Sequence, residues 1–144
     1  MRSREQVIWD FVQNWLAKAE RDLCAAQVLL GCPGELAEVV GFHSQQAVEK
    51  FMKAYLVRHQ IEFPRTHDLA ILRKLISRSE ERLAEQLAFA DSLTPFGVEM
   101  RYPGEIQEVD RNTAEQALAH ARQTRRLVLE ALQEYLQRGR PESE

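Results

Sequence analysis

A chain of 144 residues, 44% hydrophobic and 28% charged, is the size of one ordinary domain and can bury a core without help from metal or disulfide. Its formal net charge of -3 excludes polyanion binding through bulk electrostatics, so any anion site must be a local cluster. The charge is also uneven, with 11 Lys and Arg against 9 Asp and Glu in residues 1–79 and 8 against 13 in residues 80–144. No apolar run reaches the ~18 residues needed to span a bilayer, and the opening MRSREQVIWDF is too polar for a secretory signal. A soluble, cytoplasmic protein without membrane attachment is expected.

From Val7 to Leu30, the residues Ile8, Phe11, Trp15, Ala19, Leu23, Ala26 and Leu30 step by three or four, the spacing of an amphipathic helix. Trp9 and Trp15 lie on or beside that stripe, where packing is their natural role. GCPGE then supplies turn chemistry, with Gly31 placed to end the helix and Pro33 unable to continue it. Cys24 and Cys32 flank this turn at roughly 12 Å along a helix, too far for a disulfide unless the turn folds back. A second helix is expected from about Leu36 to His59, and QIEFPRTH breaks it. Thr66 or Asp68 can cap a third helix through about Ser77, and Glu80 and Glu81 open a fourth that covers Glu80 to Ser92.

TPFGVEMRYPGEIQEVD, residues 94–110, reads as an ordered but irregular connection, long enough to suggest a functional role. Thr113 and Gln116 have the spacing of a capping box for a last helix, in which Ala114, Ala117, Ala121, Val128, Ala131 and Tyr135 share a face down to Gly139. With no repeat and no strand-like alternation, the pattern predicts an all-α single-domain bundle of about five helices. It covers residues 1–138 and is largely antiparallel and up-and-down, with a frayed tail over 139–144.

The second helix has an unusual composition. Leu36, Val40, Ala47, Phe51 and Ala54 fall in one narrow sector at 100° per residue, while Phe42, Met52 and Leu56 fall nearly opposite, which predicts a central helix with neighbours on both faces. His43, Gln46, Lys50 and Lys53 form a strip along roughly 15 Å of one flank. Two readings follow. The strip is either a solvated edge with snorkelling lysines, or one wall of a groove for phosphate or base edges, completed by a cation such as Arg101. Pro103 restricts Tyr102 to extended backbone, so Arg101 and Tyr102 are either a guanidinium and a stacking ring poised for a nucleotide or structural pins for the loop. In RTHDL, Asp68 reads as a cap, while His67, with Arg65 two residues away, either packs against the bundle or serves the groove. Glu-x-x-His pairs, a Walker loop and a dinucleotide fingerprint are absent from the sequence, so no metal or cofactor is expected.

FHSQQAVEKFMKAYL, followed by FPRTHDLAIL and LTPFGVEMRYPG, resembles the HEPN domain family across nearly the whole chain. That resemblance implies a five-helix bundle that often dimerises. It also implies toxin–antitoxin pairing with a minimal nucleotidyltransferase and, in some branches, metal-independent ribonuclease activity. In the ribonuclease branch an arginine is followed, after four to six intervening residues, by a histidine, but after Arg101 those positions hold Ile106, Gln107 and Glu108. The chain therefore lacks the family's evident acid/base pair. The leading expectation is a homodimeric protein that binds a nucleotide, RNA or a nucleotidyltransferase partner through His43, Gln46, Lys50, Lys53, His67, Arg101 and Tyr102, with no catalytic residue assigned. The alternatives are a ribonuclease using an atypical pair drawn from His43 and His67, and a purely structural dimeric interaction module.

Overall fold

The computed structural model describes residues 1–33, 35–98 and 109–143, and these residues form helices without strands. Helix α1 spans Arg4–Leu30. The Ser3 hydroxyl accepts from the Gln6 amide and the Gln6 side chain accepts from the Ser3 amide, a reciprocal cap that starts the helix three residues before its apolar stripe. Gly31 closes it as expected. Its buried face is Val12, Leu16, Ala19, Leu23 and Ala26, and Phe11, expected inside, is 55% exposed. The stripe holds from Ala19 onward, whereas in the first half of the helix Val12 and Leu16 are buried, each one position beyond the expected Phe11 and Trp15, and Trp15 packs at the edge of the core.

Helix α2, Ala37–Arg58, is the centre of the molecule. Every residue from Phe51 to Leu56 is buried, along with Val40, Ala47 and Val48, so α2 meets neighbours on both sides as its two apolar sectors predict. Burial of Phe51, Met52 and Leu56 contributes about 1.5–3 kcal/mol each. Helix α3, Leu69–Ser77, is capped by Asp68, whose carboxylate accepts from the Ala70 amide at 3.0 Å, while Thr66 bonds the Asp68 amide instead.

The fourth helix is shorter than its sequence suggested. Helix α4 covers Glu81–Gln86, and the chain then tightens into a 3-10 segment, Ala88–Leu93, held to α3 by a two-pronged Arg73–Asp91 pair at 2.9 and 2.7 Å. The connection expected to be irregular begins as helix α5, Thr94–Val98. Helix α6 spans Arg111–Ala131, starting ahead of the expected capping box because the Asp110 carboxylate accepts from the Thr113 amide at 2.7 Å. The last helix is broken at Leu132, which turns inward while Ala131 faces solvent, and α7 covers Gln133–Arg138. The described residues thus hold seven α-helices and one 3-10 segment, where about five helices were expected.

Cross-helix contacts set the directions. Arg111 reaches the Leu30 carbonyl at 3.1 Å, Arg125 pairs with Glu20 at 2.6 Å, and the Tyr135 ring packs 5.1 Å from Trp9, so α6 and α7 run antiparallel to α1. Arg58 lies over Tyr135, so α2 ends where α7 lies. Helices α2 and α6 are therefore parallel, both opposed to α1, and α3 to α5 carry the chain back between them. The end of the chain is tied down as well: Arg140 pairs with Asp10, and Gln6 donates to the Pro141 carbonyl at 2.9 Å. Cys24 and Cys32 are free thiols.

Candidate functional site

The polar flank of α2 is organised by two carboxylates that the sequence reading did not single out. Asp22, from α1, bonds His43 Nδ1 at 2.9 Å with one oxygen and the Lys50 ammonium with the other. Glu49, from α2 itself, bonds His67 Nδ1 at 2.7 Å and Lys53 at 3.1 Å. The two clusters share one design, in which a single carboxylate holds an imidazole and an ammonium together. In both, the ring is fixed through Nδ1, which leaves Nε2 as the nitrogen for other chemistry.

Their burial differs. The Glu49 side chain is only 4% exposed, while the His67 ring, carried on the segment before α3, is half exposed. Lys53 is turned inward, its side chain 10% exposed and its ammonium 5.4 Å from the Trp15 ring centroid and 5.6 Å from that of Phe63. The strip expected as four side chains pointing one way is thus divided: His43 and Lys50 lean on α1, and Lys53 is part of the packed interior. Gln46 donates to the Gln45 side-chain oxygen at 2.7 Å, and the fully buried Gln45 donates to the His67 carbonyl at 3.2 Å, so the segment that carries His67 is bonded at both ring and backbone.

Two glycines bring α5 against this network. A Cβ on Gly97 would lie 2.7 Å from the Gln45 amide carbon, and one on Gly41 would lie 2.4 Å from the Phe96 ring. Arg101 and Tyr102 lie outside the described residues. Among the described residues no cluster of three or more His, Cys, Asp or Glu is placed to hold a metal ion, and no helix is long and apolar enough to cross a membrane.

The acids escaped the sequence reading for different reasons. Asp22 sits off the apolar stripe of α1 among other charged residues, and its partners lie 21 and 28 positions away. Glu49 could have been found, since it is four residues before Lys53 on the same helix, the spacing of an intrahelical ion pair.

The family model for the HEPN domain matches residues 12–132, and the chain belongs to that family. It is also 31% identical over 140 residues to a Methanocaldococcus jannaschii protein described as "Putative toxin MJ1304", with 88% of each chain covered. No solved structure matches.

Proposed function

We propose that this HEPN protein is one half of a toxin–antitoxin-like pair, acting as a cytoplasmic homodimer that binds a nucleotide or RNA along the flank of α2. A minimal nucleotidyltransferase is its proposed partner. His67 and His43 offer their Nε2 edges to phosphate or base, Lys50 and Gln46 border them, and Lys53 holds Glu49 in place. Arg101 and Tyr102, outside the described residues, are the further contacts this reading proposes. The toxin description of the archaeal relative supports the class.

One observation carries the site: Glu49, almost wholly buried, puts one oxygen on half-exposed His67 and the other on Lys53. A buried ion pair is seldom the most stabilising way to fill a core, and apolar residues of similar volume often do better. Its presence here is explained by the ring it orients.

The test is fluorescence anisotropy of a labelled single-stranded oligoribonucleotide with chelator present. His67→Ala and Lys50→Ala are expected to weaken binding about tenfold each, the scale of one charge-assisted hydrogen bond. Unchanged affinity in both would remove the α2 flank from recognition.

A second reading, ribonuclease activity, is favoured by the two carboxylate-anchored imidazoles, which have the orientation a general base or acid requires. Metal-independent cleavage of the same RNA, lost in His67→Ala or His43→Ala, would establish it. Intact RNA after prolonged incubation would dismiss it.

A further inference from the structure

From Arg65 to Ser79 the chain holds four cations, Arg65, Arg73, Lys74 and Arg78, and one acid, Asp68. Asp68 is used as the cap of α3, and Arg73 is neutralised by Asp91. That leaves Arg65, Lys74 and Arg78, all exposed and none with a carboxylate partner among the described residues. Glu62 before the run and Glu80 after it bound the positive stretch in sequence, and Glu80 acts on Tyr55 and His59 of α2.

The rest of the surface is not built this way. Of the five arginines on α6 and α7, four meet a glutamate at distances between 2.6 and 3.6 Å. On α3 the exposed cations are left without such partners.

They also share a side of the helix. At 100° per residue Ile71, Lys74 and Arg78 fall within about 60°, nearly opposite the buried Leu69, Leu72 and Ile76. Lys74 and Arg78 stand one turn apart, roughly 6 Å along the axis, a like-charge spacing that disfavours the helix. The negative end of the helix dipole offsets part of that repulsion, and an anion laid along the face would relieve more of it. Ile71, 41% exposed, adds an apolar surface beside the two charges.

This face starts close to the α2 flank. His67, its ring held by Glu49 and half exposed, lies two residues ahead of α3, and Arg65 precedes it on the same segment. From Ile71 to Arg78 the face then continues for about 10 Å.

We propose that the ligand of the α2 flank is a single-stranded oligoribonucleotide that continues past His67 along the exposed face of α3, its phosphates received by Lys74 and Arg78 and a base resting on Ile71. This depends on the α2 flank being a nucleic-acid site and narrows what that site takes. A mononucleotide at His67 leaves Lys74 and Arg78 unused, whereas a strand of several nucleotides neutralises both. Phosphate contacts of this kind add affinity and register without reading sequence.

Fluorescence anisotropy of labelled oligouridylates across a salt series tests this. The hexanucleotide is expected to bind about tenfold more tightly than the dinucleotide at low salt. Lys74→Gln combined with Arg78→Gln should remove most of that advantage, and should make the plot of log affinity against log salt shallower by about 1.4, from ~0.7 for each phosphate contact on a single strand. The dinucleotide, confined to the flank, should be unchanged by the pair of substitutions, and Arg125→Gln on α6 should alter neither length. Equal affinity for the two lengths, or an unaltered salt slope in the double variant, would overturn the α3 path; His67→Ala, by still weakening both lengths, would then leave the α2 flank in place. No binding of either length, or binding indifferent to His67→Ala, would remove the flank and the path with it. Displacement of the hexanucleotide by polyglutamate as readily as by unlabelled RNA would assign the face to an acidic protein and overturn the proposal as well.

Discussion

Glu49 and His67 stand 2.7 Å apart across the join between α2 and the segment that leads into α3, and the same carboxylate bonds Lys53 at 3.1 Å. One nearly buried group therefore holds both an interior cation and a surface ring, and removing it exposes two different dependencies.

Glu49→Gln keeps the shape but strands the Lys53 charge against Trp15 and Phe63. Loss of one member of a buried pair costs about 3 kcal/mol, to be read from urea unfolding monitored by tryptophan fluorescence. The double variant Glu49→Leu, Lys53→Met should recover most of that loss. Failure to recover would mean that the pair contributes net stability beyond satisfying its own charges.

Gly41 and Gly97 are each set against a side chain that cannot withdraw: the Phe96 ring in one case, and in the other Gln45, which is buried and bonded to Gln46 and the His67 carbonyl. Gly41→Ala and Gly97→Ala are each expected to destabilise by about 1–3 kcal/mol, the range for overpacking a core. Wild-type denaturation midpoints would show that α5 can shift outward freely.

His120 packs against Phe89 at a ring separation of 5.0 Å, and burial holds its imidazole below the ordinary pKa of 6.5. The neutral ring is the folded form. The unfolded chain takes up a proton first as pH falls, so stability is complete above about pH 6.5 and declines below it. Unfolding midpoints measured from pH 7.5 down to 5 should fall. His120→Leu should flatten that slope and, by removing a buried nitrogen that lacks a partner, match or exceed wild type at pH 5.5. An unaltered slope would assign the decline to His59, which burial and the neighbouring Arg58 also hold low.

Asp110 and Thr113 compete for the role of N-cap of α6, and the bond from the Thr113 amide holds the Asp110 carboxyl below its usual range. Asp110→Ala is expected to lower the thermal midpoint, whereas Thr113→Ala leaves it nearly unchanged. The reverse order would restore the capping box read from the sequence.

The comparison between sequence and structure is instructive where caps and partners are concerned. Helices α1 to α3 were legible because periodicity and boundary residues agree there, with Gly31 and Asp68 acting as expected. The start of α6 lies ahead of the Thr113 capping box because the Asp110 carboxylate, three residues earlier, meets the free Thr113 amide, and only geometry shows which side chain does so. The segment after Gln86 tightens to 3-10 where the Arg73–Asp91 pair ties it to α3, a long-range constraint that local propensity does not carry. The site follows the same division. A helical projection identifies His43, Lys50 and Lys53 as neighbours on α2. It does not reveal that α1 supplies the counter-ion for the first two, or that the third turns inward onto Trp15, because both depend on how the helices are rotated against each other.

The parallel arrangement of α2 and α6 has a consequence for the newborn chain. Helices α1 and α2 are joined by a short turn and can pair as soon as both have emerged from the ribosome, but the other apolar side of α2 waits for residues 111–131. Throughout that interval the α2 surface that α6 will cover is an adhesive stripe on an incomplete hairpin. Assembly yield should accordingly be governed by how quickly the closing helix arrives, and truncation ahead of Asp110 should give aggregates rather than a smaller native protein.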